Sequence, residues 1–156
     1  MIKYSIIMSL QLCFMLFGFN LMAQNESDRK SNFNLEKEYA IQGYDPVAYF
    51  TESKAVKGSN KFKANYKGIP YLFSSEKNKE TFLKTPEKFE PQYGGWCAYA
   101  MGLDGSKVKV DPETFKITDG KLYLFYNFFF NNTLKDWNTD EANLKKKADQ
   151  NWNNTY

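Results

Sequence analysis

The chain of 156 residues contains no histidine. That absence removes Ser-His-Asp and Cys-His catalysis, zinc sites built on imidazole and a histidine-ligated haem. It also removes the side chain that most often acts as a general base near neutral pH. Sulfur is nearly as scarce. Of the two cysteines, Cys13 lies in an apolar N-terminal run and Cys97 in the body of the chain. A strong charge of one sign is missing too. Twenty-one basic and 18 acidic side chains give a net charge of +3, too weak a bias to argue for nucleic acid or anionic lipid. Lys145-Lys146-Lys147 is the densest basic run, and it reads as the solvated face of a helix. Aromatic residues, by contrast, make up 18% of the chain, enough for a dense core without disulfides.

The N-terminus reads as a targeting segment. Lys3 gives a charged start, Ser5 to Phe19 is free of charge, and Ala23 offers a small residue for cleavage. Leu21 is larger than is usual before such a site, and the run is short for a membrane span. No small-residue lipobox precedes Cys13, which argues against a lipoprotein. Residues 1–23 are therefore expected to be a signal peptide, leaving a periplasmic or secreted chain with no stable membrane insertion after cleavage. That chain keeps Cys97 alone. No internal disulfide can form, and an odd thiol in an oxidising compartment points to an external thiol partner or a disulfide-linked dimer through Cys97.

Residues 24–38 are polar except for Phe33 and Leu35, and read as a flexible lead. Gly43 and Asp45-Pro46 mark a turn before the apolar Val47 to Phe50; an Asp before Pro is most simply a turn residue. Phe62, Ala64 and Tyr66 alternate, Lys67-Gly68 turns, and Ile69, Tyr71 and Phe73 alternate again, predicting a hairpin with one buried face. Pro70, without an N–H, belongs on an outer edge. Ser74-Ser75 predicts the cap of a helix running to about Lys84, with Asn78 and Phe82 on its inner face. Pro86 suits the first position of a short helix carrying Phe89. Residues 102–112 read as a loop. Asp119-Gly120 between Phe115 to Thr118 and Lys121 to Tyr126 is the favoured two-residue turn of a second hairpin. At the end, Trp137, Leu144, Ala148 and Trp152 fall on one helical stripe, with Asn138 and Glu141 spaced as a cap. The sum is a small single α+β domain over residues 39–153: two β-hairpins packed against short helices and a C-terminal amphipathic helix.

The stretch that draws attention is Pro91-Gln92-Tyr93-Gly94-Gly95-Trp96-Cys97-Ala98. Paired glycines permit positive φ and close approach, so a thiol just after them is held at a fixed place. Cys97 is the candidate redox atom; as the plainer alternative, it is a small core hydrophobe. Met101 follows four residues later, which on a helical turn places both sulfurs on one face, a soft pair suited to Cu(I). Met101 as a gap filler is the simpler account of that spacing.

These segments resemble the YHS-domain family, and in particular its exported branch, the YHS-domain (seleno)proteins. The resemblance rests on Gly43 to Phe50, Tyr71 to Asn78, Pro86 to Phe89, Pro91 to Ala98, Asp119 to Leu124, and the closing Ala148-Asp149 with Trp152. It spans roughly residues 39–152. In some relatives the position of Cys97 is selenocysteine, which implies a chemical use for a polarisable chalcogen there. The metal-associated members imply thiolates at the places of Ala48, Ser74 and Asn78, so the usual ligand set is missing. A structural zinc, which takes about four thiolate or imidazole ligands, does not fit one thiolate and no imidazole.

Two readings follow. One is thiol redox or soft-metal (copper) handling at Cys97, with Met101 as the second ligand and Cu(I) as the candidate ion. The other is a non-catalytic small-ligand or protein-binding domain with a structural Cys97. Its pocket would be formed by the Gly94-Gly95 turn with Tyr44, Tyr93, Trp96 and Tyr99 around it. If the turn presents the thiol, Cys97 is expected in or beside a concavity with Tyr44, Asp45 or Asn78 as binding neighbours. An ordinary hydrolase or transferase ranks last, because a thiol without histidine needs activation from a lysine or a helix N-terminus. The cleavage reading is checked by N-terminal sequencing of exported protein, which should begin at or near Gln24. Full-length chain in the membrane fraction would favour an anchor instead.

Overall fold

The computed structural model describes residues 26–154, so the expected signal peptide lies outside the described residues. Two hairpins organise the rest. The first pairs β1 (Ser59–Tyr66) with β2 (Ile69–Phe73), antiparallel, around Lys67-Gly68. Both turn residues take positive φ, +47° and +80°, the conformation a tight hairpin turn demands. Pro70 sits opposite Asn65 in a sheet of only two strands, so both strands are edges, as a residue without an N–H requires. The second hairpin pairs β3 (Asp111–Thr118) with β4 (Lys121–Phe125) around Asp119-Gly120, at φ +52° and +69°. Each ladder carries one register shift, between Ser59 and Lys63 in β1 and between Asp111 and Phe115 in β3.

Short helices cover the hairpins. Residues 26–32 form α1. Ala48–Thr51 is α2. In α3 (Glu76–Lys84), the Ser75 hydroxyl accepts from the Asn78 N–H, the expected cap. α4 (Pro86–Phe89) starts on its proline. α5 (Ala98–Leu103) follows the glycine pair, a small third hairpin joins β5 (Asn127–Phe128) to β6 (Asn131–Asn132), and α6 (Thr133–Thr139) and α7 (Glu141–Asn153) close the chain. Among the described residues no helix is long and apolar enough to cross a membrane.

The apolar faces meet in two core clusters. Phe82 of α3 is fully buried, with ring centroids 4.7 Å from Tyr71 and 5.1 Å from Phe73. Trp137 of α6 is fully buried against Tyr123 at 5.7 Å and Phe125 at 5.5 Å. Truncating an aromatic so placed costs about 3–5 kcal/mol, so each hairpin is held chiefly by the helix laid on it.

Three expectations are corrected. The C-terminal stripe is split: Trp137 belongs to α6, and the backbone breaks at Asp140 (φ −150°, ψ 45°) before α7 begins. The cap is Asn132, whose side chain accepts from the Leu134 N–H, while Asn138 lies inside α6 and Glu141 reaches Lys116 and Thr118. Leu144 and Ala148 remain buried as the stripe requires. The segment read as a flexible lead is helical over 26–32 and buries Phe33 and Asn34, because Asn34 spans the glycine pair: its N–H donates to Gly94 O at 2.9 Å and its amide to Gly95 O at 3.1 Å. Nothing in that polar stretch announces this, since its partners lie some sixty residues away. The span read as a loop, 102–112, gives its first residues to α5 and its last to β3.

The second turn yields a clean test. A Cβ on Gly120 would meet no atom within 4 Å, so any cost of a side chain there comes from φ alone. Gly120→Val should lower stability by about 1–3 kcal/mol. Equilibrium urea denaturation reads it, and an unmoved midpoint would reject the turn assignment.

Candidate functional site

Asp45 is the most constrained polar group. It is fully buried, and among the described residues no cationic side chain hydrogen-bonds to it. Oδ1 accepts from the Val47 N–H at 2.9 Å, closing the Asx turn that an Asp-Pro pair suggests. Oδ2 accepts three more bonds: the Ser74 N–H at 2.8 Å, the Ser74 hydroxyl at 2.7 Å and the Asn78 amide at 2.7 Å. Asp45 thereby ties the turn before α2, the end of β2 and the first turn of α3 to one point. Two of the places where the resemblance implies metal thiolates, Ser74 and Asn78, are spent on this network, and the third, Ala48, is fully buried. What remains of that location is a hydrogen-bonded anchor.

The glycine turn is strained in the way the sequence suggests. Tyr93, Gly94 and Gly95 take φ of +54°, +58° and +83°. A Cβ at Gly94 would come within 2.8 Å of the Trp152 ring and 3.3 Å of Phe33, so only glycine fits between those two residues. Its aromatic neighbours act as fasteners. The Tyr93 hydroxyl donates to Asp149 at 2.9 Å, and the Trp96 indole N–H donates to Asn32 O at 2.7 Å. Burial above all, then the bond to Asp149, holds the Tyr93 phenol well above its ordinary range, so it is no acid or base near neutral pH. Tyr44 is likewise engaged, donating to Glu113 with Lys57 3.6 Å from its ring centroid.

Cys97 follows at the mouth of α5 and is fully buried. Its N–H donates to Val108 O at 2.9 Å. Its Sγ shares a hydrogen bond with the Thr133 hydroxyl and receives the Tyr126 N–H, both at 3.4 Å. It also lines a cleft of about 270 Å³ with Tyr99, Leu103, Tyr126, Asn131 and Thr133. Tyr44, Asp45 and Asn78, expected as neighbours of Cys97, are not among the residues lining this cleft. The Met101 pairing fares less well. Cys97 packs into the core cluster of Phe82 and Met101 into that of Trp137, so the fourfold spacing does not bring the side chains to a common ligand. Among the described residues no three of His, Cys, Asp and Glu gather as a metal site. A lone thiol with a hydroxyl and a peptide N–H for neighbours does not fit a Cu(I) centre, which calls for soft donors.

A second cleft, of about 290 Å³, has Tyr93, Gly94 and Trp152 on one side and Arg29, Glu87 and Glu90 on the other. Arg29 pairs with Glu90 and lies over the Phe33 ring at 4.4 Å. Burial raises the Glu90 carboxyl, against the lowering effects of the Tyr71 hydroxyl and the Arg29 guanidinium. Sequence reasoning passes over these charges, because Arg29 sits in the polar lead and Glu90 beside a proline with no pattern to join them. The residues expected to share one pocket are thus distributed. Tyr93 and Gly94 line this cleft, Cys97 lines the other, and Asp45 with Asn78 forms the closed network.

The family model of the YHS domain matches residues 47–93. The match runs from α2 through both strands of the first hairpin to the start of the glycine turn. It is shorter than the 39–152 stretch that carries the resemblance, and Cys97 lies outside it. Neither a curated protein nor a solved structure matches the chain.

Asp45→Ala tests the anchor. The substitution leaves two peptide N–H groups, a hydroxyl and an amide with no acceptor in the interior, at about 1–3 kcal/mol for each that water cannot reach. A total loss of about 3 kcal/mol or more is expected by urea denaturation. A midpoint close to that of the wild type would show that the network holds nothing together.

Proposed function

We propose that this chain, which carries a YHS domain over residues 47–93, is an exported small-ligand binding module whose reactive group is Cys97. The ligand it handles is a small thiol or disulfide. The observation that carries the reading is the coincidence of the body's one thiol with a cleft of about 270 Å³. The chemistry is exchange. The Cys97 thiol gives its proton to water and its sulfur attacks one sulfur of a disulfide. The S–S bond of the reagent breaks, a mixed disulfide forms at Cys97, and the other half leaves as a thiolate that takes up a proton from water. With Cys13 removed in the expected signal peptide, no second cysteine is left to resolve the adduct, so release requires a second external thiol. Copper handling is the weaker form of the proposal, since Met101 belongs to a different core cluster from Cys97.

The complete burial of Cys97 favours a second reading, a binding domain in which the thiol only packs. Intact-mass spectrometry of the native protein separates the two. Incubation with a small symmetric disulfide should add the mass of one half-reagent, lost on adding reductant and missing from Cys97→Ala. Cu(I) offered alone should give no stoichiometric adduct that depends on both Cys97 and Met101. If the native protein takes up no half-reagent and labels only in denaturant, the exchange reading fails and the packing reading replaces it.

A further inference from the structure

Turns, strands and contacts of the first half recur 52 residues later. Ile41, Gln42 and Gly43 take φ of +51°, +53° and +79°; Tyr93, Gly94 and Gly95 take +54°, +58° and +83°. Ser53 at +52° answers to Gly105 at +81°. The hairpin turns, Lys67-Gly68 and Asp119-Gly120, obey the same offset. Positive φ is rare outside glycine, so six coincident positions are hard to obtain by chance.

The ladders agree residue for residue. β1 and β2 at Ser59–Tyr66 and Ile69–Phe73 become β3 and β4 at Asp111–Thr118 and Lys121–Phe125. The register shift between Ser59 and Lys63 reappears between Asp111 and Phe115. Tyr71-Leu72-Phe73 returns unchanged as Tyr123-Leu124-Phe125, and Val56-Lys57 as Val108-Lys109. Two backbone bonds outside the ladders also repeat: Tyr44 N–H to Ile41 O with Trp96 N–H to Tyr93 O, and Asp45 N–H to Val56 O with Cys97 N–H to Val108 O. After each hairpin a helix lays one aromatic on the repeated Tyr and Phe: Phe82 on Tyr71 and Phe73, Trp137 on Tyr123 and Phe125. Here the offset has grown from 52 to 55, because β5 and β6 lie between β4 and α6.

We propose that the second half of the chain is a divergent second copy of the unit that includes the YHS match, and that Cys97 occupies in it the seat that Asp45 occupies in the first. The side-chain contacts follow the backbone. Asp45 receives the N–H of Ser74, the residue just after β2; Cys97 Sγ receives the N–H of Tyr126, the residue just after β4. Asn78, four residues before Phe82, reaches Asp45; Thr133, four residues before Trp137, reaches Cys97. Asn78 also bonds Ser74, as Thr133 bonds Tyr126.

The two seats differ in one respect that matters for function. The first is saturated, with four donors on one carboxylate. The second holds a sulfur on two contacts and borders a cleft. The first copy is thus the structural half, and the second, outside the family match, is the one left open to chemistry. That last step rests on the thiol reading proposed above; the equivalence of the seats does not.

A double-mutant cycle tests the equivalence without any reagent. Thr133→Asn should lower the urea midpoint when residue 97 is cysteine and raise it in the Cys97→Asp background, because an amide at 133 then serves a carboxylate as Asn78 serves Asp45. The mirror cycle, Asn78→Thr with Asp45→Cys, should show the same reversal of sign. Thr133→Asn lowering the midpoint equally in both backgrounds would overturn the proposal, as would failure of both Cys97→Asp chains to fold. Disulfide adducts do not enter this measurement, so the exchange reading and the equivalence can fail separately.

Discussion

Asp45 is a buried carboxylate held, among the described residues, by four neutral donors, and those donors arrive from three parts of the chain. Taking a charge out of water is costly unless its acceptor capacity is filled. The turn at Asp45-Pro46, the end of β2 and the cap of α3 therefore have to be correct together. Ser74 contributes both its N–H and its hydroxyl, so the residue after the strand is fixed before the helix begins. Ser75 can then cap α3, and Phe82 falls onto Tyr71 and Phe73. The apolar core supplies the larger share of stability, and the polar anchor selects which arrangement of that core is adopted.

Local chemistry made much of this readable in advance. Alternating apolar residues around Lys67-Gly68 and Asp119-Gly120 specify both hairpins, since turn type and pleat are properties of adjacent residues. Ser75 and Pro86 announce helix starts for the same reason. What escaped depends on distant partners. Asn34 is buried because Gly94 and Gly95 expose carbonyls toward it, and no feature near Asn34 encodes that. The break at Asp140 is hidden because a stripe of Trp137, Leu144, Ala148 and Trp152 is compatible with one helix or two. The site was legible as a list of residues and not as an arrangement. Spacing in sequence placed Cys97 beside Met101, whereas packing assigns them to different core clusters.

The doubled architecture gives each hairpin its own cover. Each copy is a two-stranded hairpin, which alone is marginal in water. Each gains a helix that buries an aromatic on the same Tyr and Phe pair, and β4 then serves both copies. Leu122 and Leu124 join the cluster of Phe82, while Tyr123 and Phe125 join that of Trp137. Successive side chains of a strand point to opposite faces, so one strand can close two cores at once. The N-terminal and C-terminal segments finish the structure at the glycine turn between the copies, where Asn34, Asn32 and Asp149 bond its backbone or aromatic neighbours.

Divergence at the anchor position is where such a doubled fold can acquire a function. Two saturated carboxylate seats would give two rigid copies with no vacancy in either. Replacing one carboxylate by a thiol removes a buried charge and with it the demand for four donors, since sulfur is a weak acceptor and is content with longer contacts. At Cys97 two contacts of 3.4 Å suffice where Asp45 takes four of 2.7–2.9 Å. The donors released from that duty need no longer converge, and the helix after the hairpin can stand further along the chain, as the three extra residues before Thr133 allow. Cys97 borders a cleft at this relaxed position. The first copy keeps its charge and its rigidity, and it gives the second a fixed frame on which a single thiol is held.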